Sequence, residues 1–295
     1  MKEIKKGDIV VRKSHGKDIL FCVRRIIKAE RKKIAILYGL IERIEADSKI
    51  DDLELVDKKT TKEIINRIDN KINKKIENRQ NNQYKIGVLT NKETRREKII
   101  TGKILHLDGD KRYSEKSFKY YQKMGINAIV KNIPENKQPR VVYNLLKTYK
   151  PDILVITGHD GMLKKGYGYY DIYNYRNSRH FLNTVKEARR YDYENGKNLV
   201  IFAGACQSYF EALIQAGANF ASSPARILID ILDPLIVAKE VAITDDCKYV
   251  KIEDIENKLR DGKRGIGGTG ARRKKKEKYI TKNRKCRKCV FYICL

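Results

Sequence analysis

One thiol and one imidazole in this chain stand where a nucleophile and its acid–base partner would stand. Cys206 follows the apolar run Leu199, Val200, Ile201 and Phe202 and then the small residues Ala203, Gly204 and Ala205. A short continuous apolar run reads as a strand buried on both faces, and small residues after it permit a tight turn. Residues 207–215 then read as a helix. The thiol is therefore expected at a strand's carboxyl end, close to a helix N-terminus. Ligands bind at that edge of open α/β sheets, and the positive end of a helix dipole favours a thiolate. His159 has the same setting, after an apolar strand at 153–156 and the turn residue Gly158. Alone, Cys206 would read as a small core residue and His159 as a structural one. Two like strands side by side would bring them to one edge, 47 positions apart in sequence, as a Cys-His dyad.

The chemistry such a pair performs is acyl transfer. A thiol of pKa about 8.5 is mostly protonated at neutral pH, and the thiolate is the nucleophile. A neighbouring imidazolium and a helix N-terminus are expected to lower the pKa of Cys206, each unit being worth about 1.4 kcal/mol. His159 would stabilise the thiolate and later protonate the leaving amine. The tetrahedral oxyanion needs backbone donors; the N–H of Cys206 and that of Asp160 or Gly161 are the candidates. Gly158 and Gly161 would let the chain approach a substrate closely. Asp108, at the end of another expected strand, is taken to orient His159 or to shape the pocket, with turn capping as the plainer role.

The elements that must position these groups follow from pattern. Residues 1–57 read as a small β-barrel of short strands at 6–12, 18–24, 33–39 and 53–57, and the opening Gly7-Asp-Ile-Val-Val11 resembles SH3-like barrels. Residues 58–83 read as a basic helical linker, with Ile64, Ile65, Ile68 and Ile72 at helical spacing. A strand at 85–89 and a charged loop follow. From 103 onward strands at 103–108, 126–133, 153–156, 199–202 and 218–221 alternate with helices at 114–124, 139–150, 177–191, 209–216 and 226–232. Ser114 is the expected N-cap of the first helix. Alternation of this kind predicts a doubly wound, mostly parallel sheet over 84–245. A strand order 2-1-3-4 would gather His106, Asp108, His159 and Cys206 near one rim. Residues 246–295 read as a basic, partly disordered tail. The glycine-rich 262–270 reads as flexible, and it lacks the strand and helix a phosphate loop requires.

Composition bounds the function. The chain has 295 residues, 41% of them hydrophobic, enough for one large or two modest domains. Its net charge is +28, and residues 269–295 carry eleven Lys or Arg against one Glu. Such runs bind nucleic acid or anionic surfaces. The basic stretches lack the interleaved aromatics of a single-strand binder, and solvated faces are the plainer reading. Six cysteines, at 22, 206, 247, 286, 289 and 294, form no small-domain disulfide framework. The first residues are no signal peptide, and no apolar run approaches the ~18 residues of a membrane span. The expectation is a cytosolic, reduced protein, which suits a working thiol. Cys286 and Cys289 have neither a second pair nor a downstream His, too little for zinc. No cofactor or metal is implied.

The order of the two residues narrows the class. Glutamine amidotransferases and papain-like enzymes place histidine after cysteine, and none follows His180 here. No Cys-x5-Arg phosphatase loop is present. Histidine first and cysteine second, each after its own strand, is the order of caspase-like peptidases, where an Ala-Cys pair follows the histidine by about 50 residues. Ala205-Cys206 fits that pattern, whereas Gly204 and Asp160 depart from it. The segments Leu105-His-Leu-Asp-Gly-Asp110, Pro151-Asp-Ile-Leu-Val-Ile-Thr-Gly-His-Asp-Gly161, Arg176-Asn-Ser178, Val200-Ile-Phe-Ala-Gly-Ala-Cys-Gln-Ser-Tyr-Phe-Glu211 and Ala216-Gly-Ala-Asn-Phe-Ala-Ser-Ser-Pro224 resemble the YabG family of sporulation proteases. The resemblance runs over about residues 1–268. It implies a caspase-like cysteine endopeptidase that processes spore coat and related proteins in the mother cell of a sporulating bacterium, either cytoplasmic or spore-associated. If such an enzyme prefers a basic residue before the cleaved bond, Asp160, Asp230 and Asp233 are candidates for its acidic pocket. The alternative from another class is a non-enzymatic spore-assembly or nucleic-acid-binding protein on an α/β scaffold.

Overall fold

The computed structural model describes residues 3–29, 32–89, 101–163, 168–244 and 248–272. The chain opens with five antiparallel strands, β1 (Ile9–Arg12), β2 (Phe21–Ala29), β3 (Lys32–Gly39), β4 (Glu45–Lys49) and β5 (Leu53–Leu55), in the order β4-β3-β2-β1-β5. The strand β4 was not anticipated. Its sequence, Glu-Ala-Asp-Ser-Lys, has no apolar alternation, and it is fixed by pairing with β3. Helix α1 (Lys58–Leu89) follows. It continues through the residues expected as a strand at 85–89, an apolar run too short for pattern alone to tell strand from helix. It is also no free linker, since Ile72 and Ile76 are buried.

The remainder builds an α/β unit: β6 (Ile104–Asp108), α2 (Lys111–Lys123), β7 (Ala128–Asn132), α3 (Gln138–Tyr149), β8 (Ile153–Thr157), α4 (Ser178–Asn195), β9 (Val200–Ala203), α5 (Phe210–Gln215), β10 (Phe220–Ser222), α6 (Asp233–Ile243), β11 (Tyr249–Val250), β12 (Ile266–Gly268) and β13 (Ala271–Arg272). The sheet order is β12-β10-β9-β8-β6-β7, so the expected 2-1-3-4 arrangement is present and five strands run parallel. Each central strand is buried on both faces with a period of two. Leu105, Leu107, Leu154, Ile156, Ile201 and Ala203 face one apolar cluster with α3 and α4. Ile104, Ile153, Val155, Val200 and Phe202 face the other, which contains Leu235 and Val241 of α6. That second cluster also takes in Val10, Phe21 and Leu37 of the first sheet and Ile72 and Ile76 of α1.

Several boundaries differ from expectation for physical reasons. Helix α2 is capped by Asp110, whose side chain accepts from Arg112 N, and Ser114 lies inside the helix. Residues 226–232 are not helical. The helix begins at Asp233-Pro234, and because nearly all of α6 is buried it has no amphipathic period to read. The glycine-rich stretch within 262–270 is not a flexible tail. It supplies β12, antiparallel to β10, because a Cβ at Gly268 would lie 2.2 Å from Asn219 O and only glycine admits the approach. Cys247, Cys286, Cys289, Cys294 and the basic run from 273 lie outside the described residues.

Candidate active site

Strand register sets the geometry of the candidate pair. Ile153 pairs with Val200 and Ile156 with Ala203 across β8 and β9. His159 lies three residues beyond Ile156, and Cys206 three beyond Ala203. Both chains thus leave the sheet at the same edge and the same level. At β9 the backbone turns through Gly204 (φ +110°) and Gln207 (φ +56°), left-handed positions on either side of Ala205-Cys206. A Cβ at Gly204 would meet Ser222 Oγ at 2.6 Å. Gln207 tolerates its unusual conformation while its side-chain oxygen accepts the N–H of Met162 at 3.2 Å, which joins the two loops.

Cys206 is fully buried. Its Sγ accepts the N–H of Ile229 at 3.4 Å and lies 4.0 Å from Ile229 O. Burial pushes its pKa up to about 12, with the Ile229 amide pulling the other way. This reverses the expected lowering. Helix α5 starts only at Phe210 and is six residues long, so its dipole acts from a distance. Among the described residues no hydrogen bond joins Cys206 to His159.

His159 is equally buried. Its Nε2 donates to Gly39 O at 3.2 Å, which places the proton on that nitrogen because a carbonyl only accepts. Among the described residues Nδ1 has no hydrogen-bond partner. Tyr38 stacks on the ring at 4.3 Å, and Tyr113 meets it edge-on at 5.4 Å. Burial lowers the imidazole's pKa, opposed first by Asp110. The main-chain N–H of His159 donates to Glu135 Oε1 at 2.7 Å. The Tyr113 ring touches His159, and burial raises the pKa of its phenol.

The other expected groups divide. Asp160 N donates to Arg43 O at 3.2 Å. The Asp160 carboxylate accepts from Ser178 Oγ, Ser208 Oγ, Asn177 N and Gly161 N. Burial raises that acid to about 6. Gly161 N is therefore taken by Asp160 and is not free for an oxyanion. Its lack of a Cβ instead admits Glu45 O, which a Cβ would meet at 2.3 Å. Asp108 makes no hydrogen bond to His159. Its Oδ2 accepts from Arg43 Nη2 at 3.0 Å and Thr157 Oγ1 at 2.8 Å, and its Oδ1 caps the turn at Asp110 N. His106 sits inside β6, bonded to Thr157 Oγ1 at 2.7 Å, with its pKa lowered to about 3 by burial. Asp233 accepts the backbone N–H groups of Asp230 and Arg260, and Asp230 pairs with Lys75.

Sequence reasoning missed Gly39, Arg43, Glu135, Tyr38 and Tyr113. The available signal was the pair Glu42-Arg43, two charges set inside the apolar residues of Leu40-Ile-Glu-Arg-Ile44. Arg176-Asn-Ser178, one of the segments that carry the family resemblance, ties neighbouring loops together. Arg176 pairs with Glu45 and Asp47, Asn177 Nδ2 donates to Glu45 Oε2 and His159 O, and Ser178 holds Asp160 and Tyr209 N.

Residues 5–280 match the family described as YabG peptidase U57. The chain belongs to the YabG peptidase family. It is 39% identical over 275 residues to the sporulation-specific protease YabG of Bacillus subtilis (strain 168), spanning 90% of this chain and 94% of that protein. No solved structure matches it. Membership of the YabG family makes the chain a peptidase of sporulation. Among the described residues no helix is long and apolar enough to cross a membrane.

Proposed function

We propose that this peptidase is a cysteine endopeptidase with a Cys206-His159 dyad, acting on spore coat and related sporulation proteins in the mother cell. The observation that carries the reading is the common level at which His159 and Cys206 leave β8 and β9, each three residues past the pair Ile156–Ala203. Support also comes from the ring of His159. Its Nε2 is held by Gly39 O, which leaves Nδ1 as the nitrogen able to exchange a proton with a thiol. The parallel sheet, with histidine on one strand and cysteine on the next, fits a caspase-like peptidase, and the five-stranded antiparallel sheet fits an SH3-like barrel.

In this mechanism Nδ1 takes the proton of Cys206 and the thiolate attacks the scissile carbonyl carbon. The N–H groups of Asp160 and Cys206 stabilise the oxyanion. The protonated imidazole gives its proton to the leaving amine, and water then hydrolyses the thioester. The test is to incubate the protein with candidate coat proteins and read new termini by mass spectrometry. Cys206→Ala is expected to abolish cleavage, and His159→Ala to slow it by about 10²–10⁴. Undiminished cleavage by the Cys206→Ala protein overturns the proposal.

A further inference from the structure

The edge of the sheet that carries His159 and Cys206 is covered. The loop 40–44, between β3 and β4, lies across it. Arg43 O accepts the N–H of Asp160 at 3.2 Å, and Glu45 N donates to Asp160 O at 2.7 Å, so Ile44 bridges to Asp160 as a parallel strand would. The Asp160 amide, next to His159, is a donor that an oxyanion would use. The side chain of Arg43 runs inward and is 1% exposed. Its Nη2 and Nε reach Asp108 Oδ2 at 3.0 and 3.3 Å, Nη1 reaches Ile231 O at 3.4 Å, and its guanidinium lies 4.7 Å from the centre of the Tyr113 ring. On the outer side Arg176 and Asn177 clamp Glu45. Neither Cys206 nor His159 lines the polar pocket that opens beside Tyr38, Glu45 and Glu135.

We infer that the loop 40–44 fills the peptide-binding cleft of its own molecule, with Arg43 seated as the residue before a cleaved bond would be, and that the dyad stays latent until this loop withdraws. The inference rests on the Cys206-His159 reading. A carbonyl on the oxyanion donor and a side chain anchored at the end of a closed niche are the two contacts that hold a peptide against a nucleophile. A loop tied down for stability alone requires neither. The buried, protonated thiol agrees with a resting state. Gly39 ends β3 and is not part of the loop, so its carbonyl keeps the His159 ring in place when 40–44 moves.

The test is the rate at which iodoacetamide alkylates Cys206, mapped by mass spectrometry. It is measured in the full-length wild type, in Arg43→Ala, and in a double variant of Arg43→Met with Asp108→Asn. The double variant leaves neither buried charge alone, which protects its folding, and thermal melts verify that each protein is folded. Labelling is expected to be slow in the wild type and at least about tenfold faster in the folded variants, since each unit of fall in pKa multiplies the thiolate tenfold. A synthetic peptide of residues 38–47 is expected to restore protection in the Arg43→Ala protein, which keeps the Asp108 carboxylate that holds the arginine, and the same peptide with alanine for Arg43 is not. Equal labelling of wild type and folded variants overturns it, as does a peptide that gives no protection. Failure of the dyad reading shows separately, as proteolysis that survives Cys206→Ala.

Discussion

Glu135 sets the main chain at His159, and it does so as a buried acid. Its Oε1 accepts the His159 N–H at 2.7 Å, and a Cβ at Gly109 or Gly158 would come within 2.1 or 2.3 Å of that same oxygen. Burial raises its pKa to about 7, above the unfolded value near 4.3. The folded state therefore binds this proton more tightly than the unfolded chain. The stability cost is absent at low pH, grows between about pH 4 and 7, and is fully present above. Glu135→Gln keeps the acceptor and never ionises. The variant should gain on the wild type by up to roughly 3 kcal/mol as pH rises across that window, read from urea unfolding at pH 4.5 to 8. Asp160, raised to about 6, has the same sign and leaves a smaller slope in both proteins. A difference that does not change with pH would mean that Glu135 ionises freely. The position of Cys206 and His159 beyond the ends of neighbouring strands was legible because each follows an apolar strand. Glu135 and Arg43 were not, since a charge buried by distant parts of the chain reads in sequence like one in water.

Elements were legible where burial imposes a period. The strands β6, β8 and β9 are buried throughout and sit within a residue or two of their expected bounds. Helix α6 was displaced because a helix buried on every side has no stripe, although Asp233-Pro234 is a start signal in plain sight. The edge strand β12 was hidden by its glycines. Those glycines are required by close packing, since a Cβ at Gly267 would meet Phe210 Cε2 at 2.8 Å and one at Gly268 would meet Asn219 O at 2.2 Å. Gly268→Ala should force β12 away from β10 and cost about 1–3 kcal/mol of stability, measured by chemical denaturation. It should also uncover the edge of β10 and promote self-association, measured by light scattering. A variant as stable and as monodisperse as the wild type would show that β12 contributes little to the sheet.

At the scale of the whole molecule the first sheet and α1 read in sequence as a barrel and a linker, separable from the peptidase unit. The basic residues of α1 conceal how few apolar positions are needed to dock it. Ile72 and Ile76 are buried in the same cluster as Phe21 and Leu37 of the first sheet and Val155 and Phe202 of the second. Lys116 pairs with Asp69 at 2.7 Å, and the buried Arg43–Asp108 pair joins the two sheets from within. A core that crosses both sheets has no plane along which one can unfold while the other keeps its burial. The described parts of the chain should therefore open together. Native-state hydrogen exchange followed by mass spectrometry at rising urea should give peptides from β2 and from β8 the same opening free energy. Ile76→Ala, which removes an α1 side chain from that shared cluster, should lower both by about 2–5 kcal/mol. Were residues 9–55 to exchange at lower urea than β8, or Ile76→Ala to lower one value and spare the other, the first sheet would be an independent module. The closure of the cleft by loop 40–44 would then be a contact between domains, and the loop would leave together with its sheet.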